Sequence, residues 1–424
     1  MKKGEPSCLN FKIKKVHHEK KVKQTYSIPL RLQKAAGIDC HQSSYKVAIC
    51  KEGEIPVIDT FGTFTDDVEK LRDHLLHHSI SHVIIESTGI YWRHLYRVLT
   101  EGGIKVVVVN PFTVKQNPLE KTDKRDAVWL ATILMNGMAK PSLMVSEQQE
   151  ALRELTRQRL HYTQQLTRIK NRIIRILESC NYKIMSVVSN ISTKTGMSLV
   201  KQLSEGVTAL DDLLKCCHRS VLKSKADLLP LALKGRMNVN HQANLKLLLD
   251  DITHAESQIA VVNKAIAGIF TEEQQAMIKK PDEAEGIAQE GAQVIMAEMG
   301  INAKDFKGED SAARYAGFAA GVHETSDKKI IVKCHPGNKY LRTTMIQIAW
   351  AAVKVKNGYW WAVYQQLKKS RGAKKAIVAV ARRSVKVVYK IIVHGHSYQK
   401  WTAEKYFENR AQVNQFRQAF KKAS

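Results

Sequence analysis

Four acidic residues in the first third of the chain have the types and spacing for work on phosphates. Asp39 closes the apolar run Ala35-Ala36-Gly37-Ile38, and Glu86 closes Val83-Ile84-Ile85. Asp123 and Asp126 stand three apart in Lys121-Thr122-Asp123-Lys124-Arg125-Asp126, just ahead of an apolar helical pattern, so they share one helix face. Carboxylates at strand ends and on one helix face suggest a site for divalent metal ions. Mg2+ prefers oxygen ligands and keeps several waters, so three or four acids suffice to hold it. Phosphoryl transfer on a nucleic-acid strand needs charge neutralisation and an activated oxygen. Two Mg2+ ions about 4 Å apart, bridged by carboxylates, supply both. Acids at strand ends and helix starts also cap N–H groups, and any one of the four alone reads as structural. Their joint placement carries the metal reading. Asp59, Asp66 and Asp67 lack that placement and read as turn and cap residues.

Positioning the four demands a particular frame. Ala35–Asp39 and Tyr45–Cys50 are short apolar runs around a polar turn, and Val57–Phe64 reads as a third strand of a meander. Thr65-Asp66-Asp67 reads as the cap of a helix running through His77. His82–Glu86 is a buried-type strand, Ile90–Glu101 a helix broken by Gly102-Gly103, and Ile104–Val109 a strand ended by Asn110-Pro111. The order is three strands, helix, strand, helix, strand, helix. It matches an α/β, ribonuclease-H-like (RuvC-like) mixed sheet with helices on its faces, in which the ends of the first and fourth strands lie side by side. Asp39 and Glu86 are then neighbours, and Asp123 and Asp126 close the site from the last helix.

The rest of the chain reads as mainly helical. Leu152, Leu155, Arg159, Tyr162, Leu166, Ile169, Ile173, Ile176 and Cys180 follow three-four spacing, with Arg159 alone interrupting the apolar seam. Leu245, Leu248, Ile252, Ala255, Ile259, Val262, Ile266 and Ile269 repeat it. Two such helices predict a coiled-coil region, as an antiparallel hairpin or between subunits. Arg153, Arg157, Arg159, Arg168, Lys170, Arg172 and Arg175 form a stripe on the first helix, a solvated face or a nucleic-acid-facing one. Asn181 to Asn240 reads as short helices, with Cys216 and Cys217 as packing residues. Glu285-Gly286-Ile287-Ala288, followed by the apolar helix Ala292–Met299, resembles half of a helix-hairpin-helix, a turn able to offer backbone N–H groups to a phosphate. Ser311–Phe318 reads as a helix ending at Gly317, and Gly321 to Asn338 as a polar, charged stretch before a long apolar helix, Tyr340–Val353. Lysines and arginines from Lys354 to Lys390 crowd around Tyr359, Trp360 and Trp361, a pattern fit for phosphate contact with at least one tryptophan in a core. The expected domains are a basic flexible arm (1–34), the sheet domain (35–145), the coiled-coil region (146–280), a C-terminal domain (281–400) and a basic tail (401–424).

Composition sets the class of partner. The chain has 424 residues, with 67 Lys plus Arg against 40 Asp plus Glu, a net charge of +27. That excess points to a polyanion, nucleic acid ahead of an acidic membrane surface. The 7 cysteines form no C-x-x-C pair, which argues against a zinc knuckle, and their odd number argues against a disulfide framework and for a reducing cytoplasm. No stretch reaches the length of a membrane span, and Met1 to Lys34 lacks the apolar core of a signal peptide.

Several stretches together resemble a known family. They are Gly37-Ile38-Asp39, Glu86-Ser87-Thr88-Gly89-Ile90-Tyr91-Trp92, Asn110-Pro111 and Lys121-Thr122-Asp123-Lys124-Arg125-Asp126-Ala127. These look like the DEDD motif of the insertion-sequence 110 family of transposases, whose members are bridge-RNA-guided recombinases. Ala297-Glu298-Met299-Gly300, Ser311–Phe318 and Gly337-Asn338-Lys339-Tyr340-Leu341-Arg342 resemble recurring pieces of that family's second domain. The resemblance spans about Ala35 to Val353. It implies that Asp39, Glu86, Asp123 and Asp126 bind Mg2+ beside a DNA strand. It also implies a serine nucleophile at the position of Ser326, in Glu324-Thr325-Ser326-Asp327. Asp327 stands where family members usually have glycine, and Thr325 is the neighbouring hydroxyl. A serine hydroxyl is a weak nucleophile and needs activation or a stabilised phosphoryl transition state, to which Lys328, Lys329 and Lys333 could add positive charge.

The resemblance further implies a covalent phosphoserine-type intermediate, strand exchange and religation on donor and target DNA. A guide RNA would choose the sequences, and a homo-oligomer, dimer or tetramer, would let the serine of one subunit complete the acidic site of another. Delegating sequence reading to RNA fits a chain with no helix-turn-helix or zinc-finger pattern. The expected setting is the bacterial cytoplasm, with the nucleoid. The rival readings are a metal-dependent RuvC-like junction endonuclease without a serine step and a non-catalytic nucleic-acid-binding protein.

Overall fold

The computed structural model describes residues 31–111, 123–282, 284–300, 303, 305–325, 328–334, 336–395, 398, 400–411 and 415. Most of the expected basic arm, Lys121-Thr122 of the acidic motif, Ser326-Asp327 and half of the basic tail lie outside the described residues. The chain divides into two compact units, Met1–Met144 and Val145–Ser424.

The first unit is a five-stranded mixed sheet of order β3-β2-β1-β4-β5. β1 (Lys34–Cys40), β2 (Tyr45–Lys51) and β3 (Val57–Phe61) form an antiparallel meander. β4 (His82–Glu86) joins β1 in parallel and β5 (Lys105–Val109) joins β4 in parallel. This arrangement is consistent with a RuvC-like domain. Helices α1 (Thr65–His77) and α2 (Trp92–Glu101) connect β3 to β4 and β4 to β5, and α3 (Asp123–Met135) follows β5.

Strand alternation decides what faces what. Ala36, Ile38, Val83 and Ile85 pack with Leu71 and Leu75 of α1 and Leu95 and Leu99 of α2. The odd partners on β1 and the even ones on β4 point the other way: Ala35 and Ile84 pack with Leu130, Ile133 and Leu134 of α3. Gly37 shares that second face. A Cβ there would stand 2.1 Å from the carbonyl oxygen of Ala127 and 2.5 Å from the nitrogen of Ala131. Only a residue without a side chain lets α3 lie this close on β1. By the same alternation Asp39 and Glu86 belong to the α3 face, the face that brings Asp123 and Asp126.

Some boundaries differ from those read in the sequence. The third strand stops at Phe61, and the following helix starts without a side-chain cap, its N-cap position being Phe64. Asp66 and Asp67 lie in the first turn instead, where their charge complements the helix dipole. Ile90 and Tyr91 precede α2 as a turn.

The second unit opens with α4 (Glu147–Ser179). Four shorter helices follow: α5 (Lys194–Ser204), α6 (Leu210–Lys215), α7 (Arg219–Ser224) and α8 (Leu229–Ala232). Then comes the long α9 (Val239–Ile269). α4 and α9 run antiparallel within the chain. Gln148 reaches the carbonyl of Ile269, Arg159 reaches Asn263, and Ile173 and Leu177 share a core with Leu245 and Leu248. The buried face of α4 is Gln149, Leu152, Thr156, Arg159, Leu166, Ile169, Ile173 and Leu177, so Leu177 takes the place expected for Ile176. A straight helix of 3.6 residues per turn drifts off a strict 3.5 repeat, which accounts for the slip. Cys217 is buried in the core of the short helices and Cys216 packs against it. The described cysteines are all free thiols.

The remaining elements are α10 (Glu272–Asp282), α11 (Gln289–Met299), α12 (Glu309–Tyr315), β6 (Ala320–Thr325), β7 (Lys328–Cys334), α13 (Lys339–Ala352), α14 (Tyr359–Arg371) and α15 (Ala373–His394). The stretch read as polar and charged between Gly321 and Asn338 is mostly a two-stranded antiparallel hairpin. Its apolar run Ile330-Ile331-Val332 has the β-branched character that strands favour, a signal outweighed by the surrounding charges. Trp360 is buried, its indole N–H donating to the Tyr398 hydroxyl at 3.0 Å. Among the described residues no helix is long and apolar enough to cross a membrane.

Candidate metal centre

Asp39 lies at the penultimate position of β1, and two residues on the chain has turned so that His41 faces back to it. His41 Nε2 stands 3.0 Å from Asp39 Oδ2 and 3.5 Å from Asp123 Oδ2. The candidate ligand atoms of Asp39, His41 and Asp123 all lie within 4.8 Å of one another. The Asp39 side chain is 14% exposed and that of Asp123 56% exposed, so the group has a buried wall and an open side.

The charge balance at this point is unfavourable without a cation. Burial pushes the Asp39 carboxyl above its ordinary range. The hydrogen bond and charge of His41 pull the other way, and the charges of Asp123 and Glu86 add to the upward shift. A buried carboxylate that feels two further carboxylates is destabilised when ionised. A divalent ion relieves all three interactions at once, and oxygen donors with one imidazole suit it. The donor set therefore fits a hard cation.

Glu86 closes β4 opposite Val109 of β5 and accepts a hydrogen bond from the Thr88 hydroxyl at 2.8 Å. It reaches Asp39 through its field. Gly89 takes φ +58°, and the Tyr45 hydroxyl of β2 donates to the carbonyl of Tyr91 at 3.0 Å, tying down the turn that follows Glu86. Asp126 sits in the first turn of α3, half-buried, outside the trio whose ligand atoms converge. Ser326 lies outside the described residues, in the sequence between Thr325 of β6 and Lys328 of β7. Cys40 lies on the other face of β1, packed with Ala36 and Ile38, and burial drives its thiol strongly upward, with the charges of Asp39 and Glu86 adding to the effect.

His41 was missed by a reading that sought carboxylates. Its signal was the spacing Asp39-x-His41 across a tight strand end, where two residues of opposite charge tendency fall side by side. The arginine stripe also divides. Arg153 and Arg157 bond inside the second unit and Arg159 is buried against Asn263, Gln293 and the carbonyl of Glu290. Arg168, Arg172 and Arg175 remain exposed and available to a polyanion.

Acids at two strand ends facing a helix with two more are an arrangement suited to holding a divalent ion beside a nucleic-acid phosphate. A family model described as DEDD_Tnp_IS110, transposase, matches residues 36–182, and one described as transposase of the IS116/IS110/IS902 family matches residues 282–366. The chain belongs to the IS110 family of transposases. That membership carries a DNA substrate and suggests dependence on a divalent metal. No curated protein matches the chain.

Proposed function

We propose that the protein is an RNA-guided transposase that cuts and rejoins DNA by serine attack beside a Mg2+ site. The observation that supports this most is the convergence of Asp39, Asp123 and His41 at an ionisation-unfavourable point of a DEDD-type fold. Asp39, Glu86, Asp123 and Asp126 would hold Mg2+, with His41 beside them. When bound, the ion neutralises charge building on the scissile phosphate.

The chain's own residues then do the following. Asp39 and Asp123 would hold the cation against which the phosphate-bearing strand is set, and do not bind the phosphate themselves. The hydroxyl of Ser326 attacks phosphorus, forming the Oγ–P bond as the bond to the 3′-oxygen breaks, and leaves a 5′-phosphoserine and a free 3′-hydroxyl. Lys328, Lys329 and Lys333 flank that serine in sequence and add positive charge. Attack by a 3′-hydroxyl of the exchanged strand releases the serine and reseals the DNA. A guide RNA selects donor and target, and its phosphates and those of the DNA meet exposed cations such as Arg168, Arg172 and Arg175. The helix-hairpin-helix role of the turn at Gly286 loses support. A Cβ at Gly286 would meet the backbone of Ile348 and Ala352 at 2.6 Å, so this turn packs against α13. We place the protein in the bacterial cytoplasm as a dimer or tetramer, with parts of the α4–α9 surface left for subunit contact.

The test is recombination of supercoiled donor and target with guide RNA. Ser326→Ala is expected to abolish the covalent protein–DNA adduct and strand exchange, and Asp39→Asn to abolish both. Full activity of Ser326→Ala would leave a junction endonuclease of the same fold. Full activity of Asp39→Asn would overturn the metal-site reading.

A further inference from the structure

The three sequence pieces that resemble the family's second domain meet at one buried carboxylate. Glu298, near the end of α11, is 0% exposed. Its Oε1 accepts from Arg157 Nε at 2.8 Å, and its Oε2 accepts from Arg157 Nη2 at 2.9 Å and from Asn338 Nδ2 at 2.6 Å. Arg153 Nε stands 3.5 Å from the same Oε2, and Arg153 also bonds the carbonyls of Ala297 and Glu298. Asn338 Nδ2 and Arg153 both donate to the Tyr315 hydroxyl, at 3.0 and 3.1 Å. Glu298 and its partners Arg153 and Asn338 thus tie together α4, α11, the end of α12 and the start of α13.

Those last two points are the entry and exit of the β6–β7 hairpin. The chain enters through Tyr315, Gly317 and Phe318 and returns through Gly337 and Asn338. The backbone N–H of Asn338 donates to the carbonyl of Tyr315 at 2.7 Å. A Cβ on Gly337 would stand 2.3 Å from the nitrogen of Gly317, so the two glycines lie backbone to backbone. Arg342 donates to the Gly317 carbonyl and stacks over the Phe318 ring at 4.9 Å. Asn338 meanwhile caps α13, its Oδ1 accepting from the N–H groups of Tyr340 and Leu341 at 3.0 Å. Every polar atom of its side chain is used, half on the helix and half on the acid.

We infer that this cluster is a latch fixing the base of the β6–β7 hairpin, whose two strands flank Ser326 in the sequence, which makes Glu298 and Asn338 positioning residues for the serine step. The inference rests on the reading of Ser326 as nucleophile. Stability alone does not require such a cluster, because well-packed apolar residues stabilise a core as well as a buried ion pair does. What directional bonds supply is orientation. Six strand residues reach about 20 Å, so a tilt of about 5° at the base moves the far end by about 2 Å. A misplacement of about 1 Å costs on the order of a hundredfold in rate. A two-stranded ribbon has little stability of its own, so its direction must come from its base.

Two variants of the full-length protein separate positioning from folding. Glu298→Gln keeps the shape and removes the charge. Asn338→Asp keeps the helix cap and sets a second carboxylate against Glu298. Hydrogen exchange on the protein alone is expected to rise about tenfold or more across 320–334 in both, with the α4–α9 core at Ile173 and Leu248 unchanged. With saturating DNA and guide RNA, formation of the covalent adduct is expected to slow about a hundredfold while DNA affinity holds. Unchanged exchange across 320–334 in both variants overturns the latch, as does wild-type adduct rate in both. Ser326→Ala run alongside keeps the two readings apart. An adduct that survives Ser326→Ala removes the serine, while the exchange result still decides whether the hairpin base is latched.

Discussion

The molecule holds two clusters built around an acid withdrawn from solvent, Asp39 and Glu298, on opposite terms. At Asp39 two carboxylates, Asp39 and Asp123, converge with one half-exposed imidazole between them, Glu86 adds its charge from the end of β4, and burial makes ionisation of Asp39 costly. At Glu298 a single carboxylate, wholly removed from solvent, receives two arginines and an asparagine. Among the described residues the first has only the His41 imidazole acting on Asp39 as a positive partner, and it is open on one side. The second is complete. An acid meant to hold a cation must be left wanting one, and an acid meant to hold the fold must not. The contrast separates a site from a strut without reference to which residues look catalytic.

Opposite signs should follow when each acid is neutralised. Asp39→Asn is expected to lower recombination by about a thousandfold or more, since metal-assisted phosphoryl chemistry loses a ligand. It should leave the melting temperature of the metal-free protein unchanged or higher, because it removes a half-buried charge that feels the charges of Asp123 and Glu86. Glu298→Ala should do the reverse to stability. It leaves Arg157, Arg153 and Asn338 without their acceptor and is expected to cost about 3 kcal/mol or more in denaturant unfolding of the second unit. A variant pair in which both acids shift stability the same way would break the distinction.

A smaller effect should come from Gly37→Ala. The added methyl meets the Ala127 carbonyl at 2.1 Å, so α3 must lift from β1. A loss of about 1–3 kcal/mol is expected from overpacking, and metal affinity should fall with it because Asp123 rides on α3. Unfolding curves and metal titration of the same preparation check both. The smallest effect belongs to Asp310, an exposed acid at the start of α12. Its carboxyl is held below its usual range by the hydrogen bond from Lys386, helped by Arg382. A depressed carboxyl contributes stability that is fully present above its ordinary pKa of 3.8 and fades as pH falls through the lower folded value. Asp310→Asn should therefore lower the melting temperature slightly at neutral pH, less in high salt, and not at all at the acid end.

The sheet was legible because its signals are local and periodic. Val83-Ile84-Ile85 and Ala35-Ala36-Gly37-Ile38 announce buried strands, and alternation then assigns Asp39 and Glu86 to one face. The burial of Arg159 was not legible. In a heptad seam it looks like an interruption, yet it is satisfied by Gln293 and by the carbonyl of Glu290 from α11, more than a hundred residues away. Glu298 was hidden for the same reason. Its partners Arg157 and Asn338 are far off in sequence, and a lone Glu in an apolar helix carries no mark of what it will meet. His41 escaped through a different route, since a single imidazole beside an acid has many uses until Asp123 is known to approach it. The β6–β7 hairpin was masked by its charges, which outnumber the short apolar run Ile330-Ile331-Val332.

The central claim is that the Asp39 cluster is left short of positive charge in order to hold a divalent ion. Its most direct test is calorimetric titration of Mg2+ and Mn2+ into the full-length protein and into Asp39→Asn and Asp123→Asn. The account predicts saturable binding to the parent protein, with a rise in melting temperature, and loss of both in each variant. Equal binding to all three proteins would contradict it.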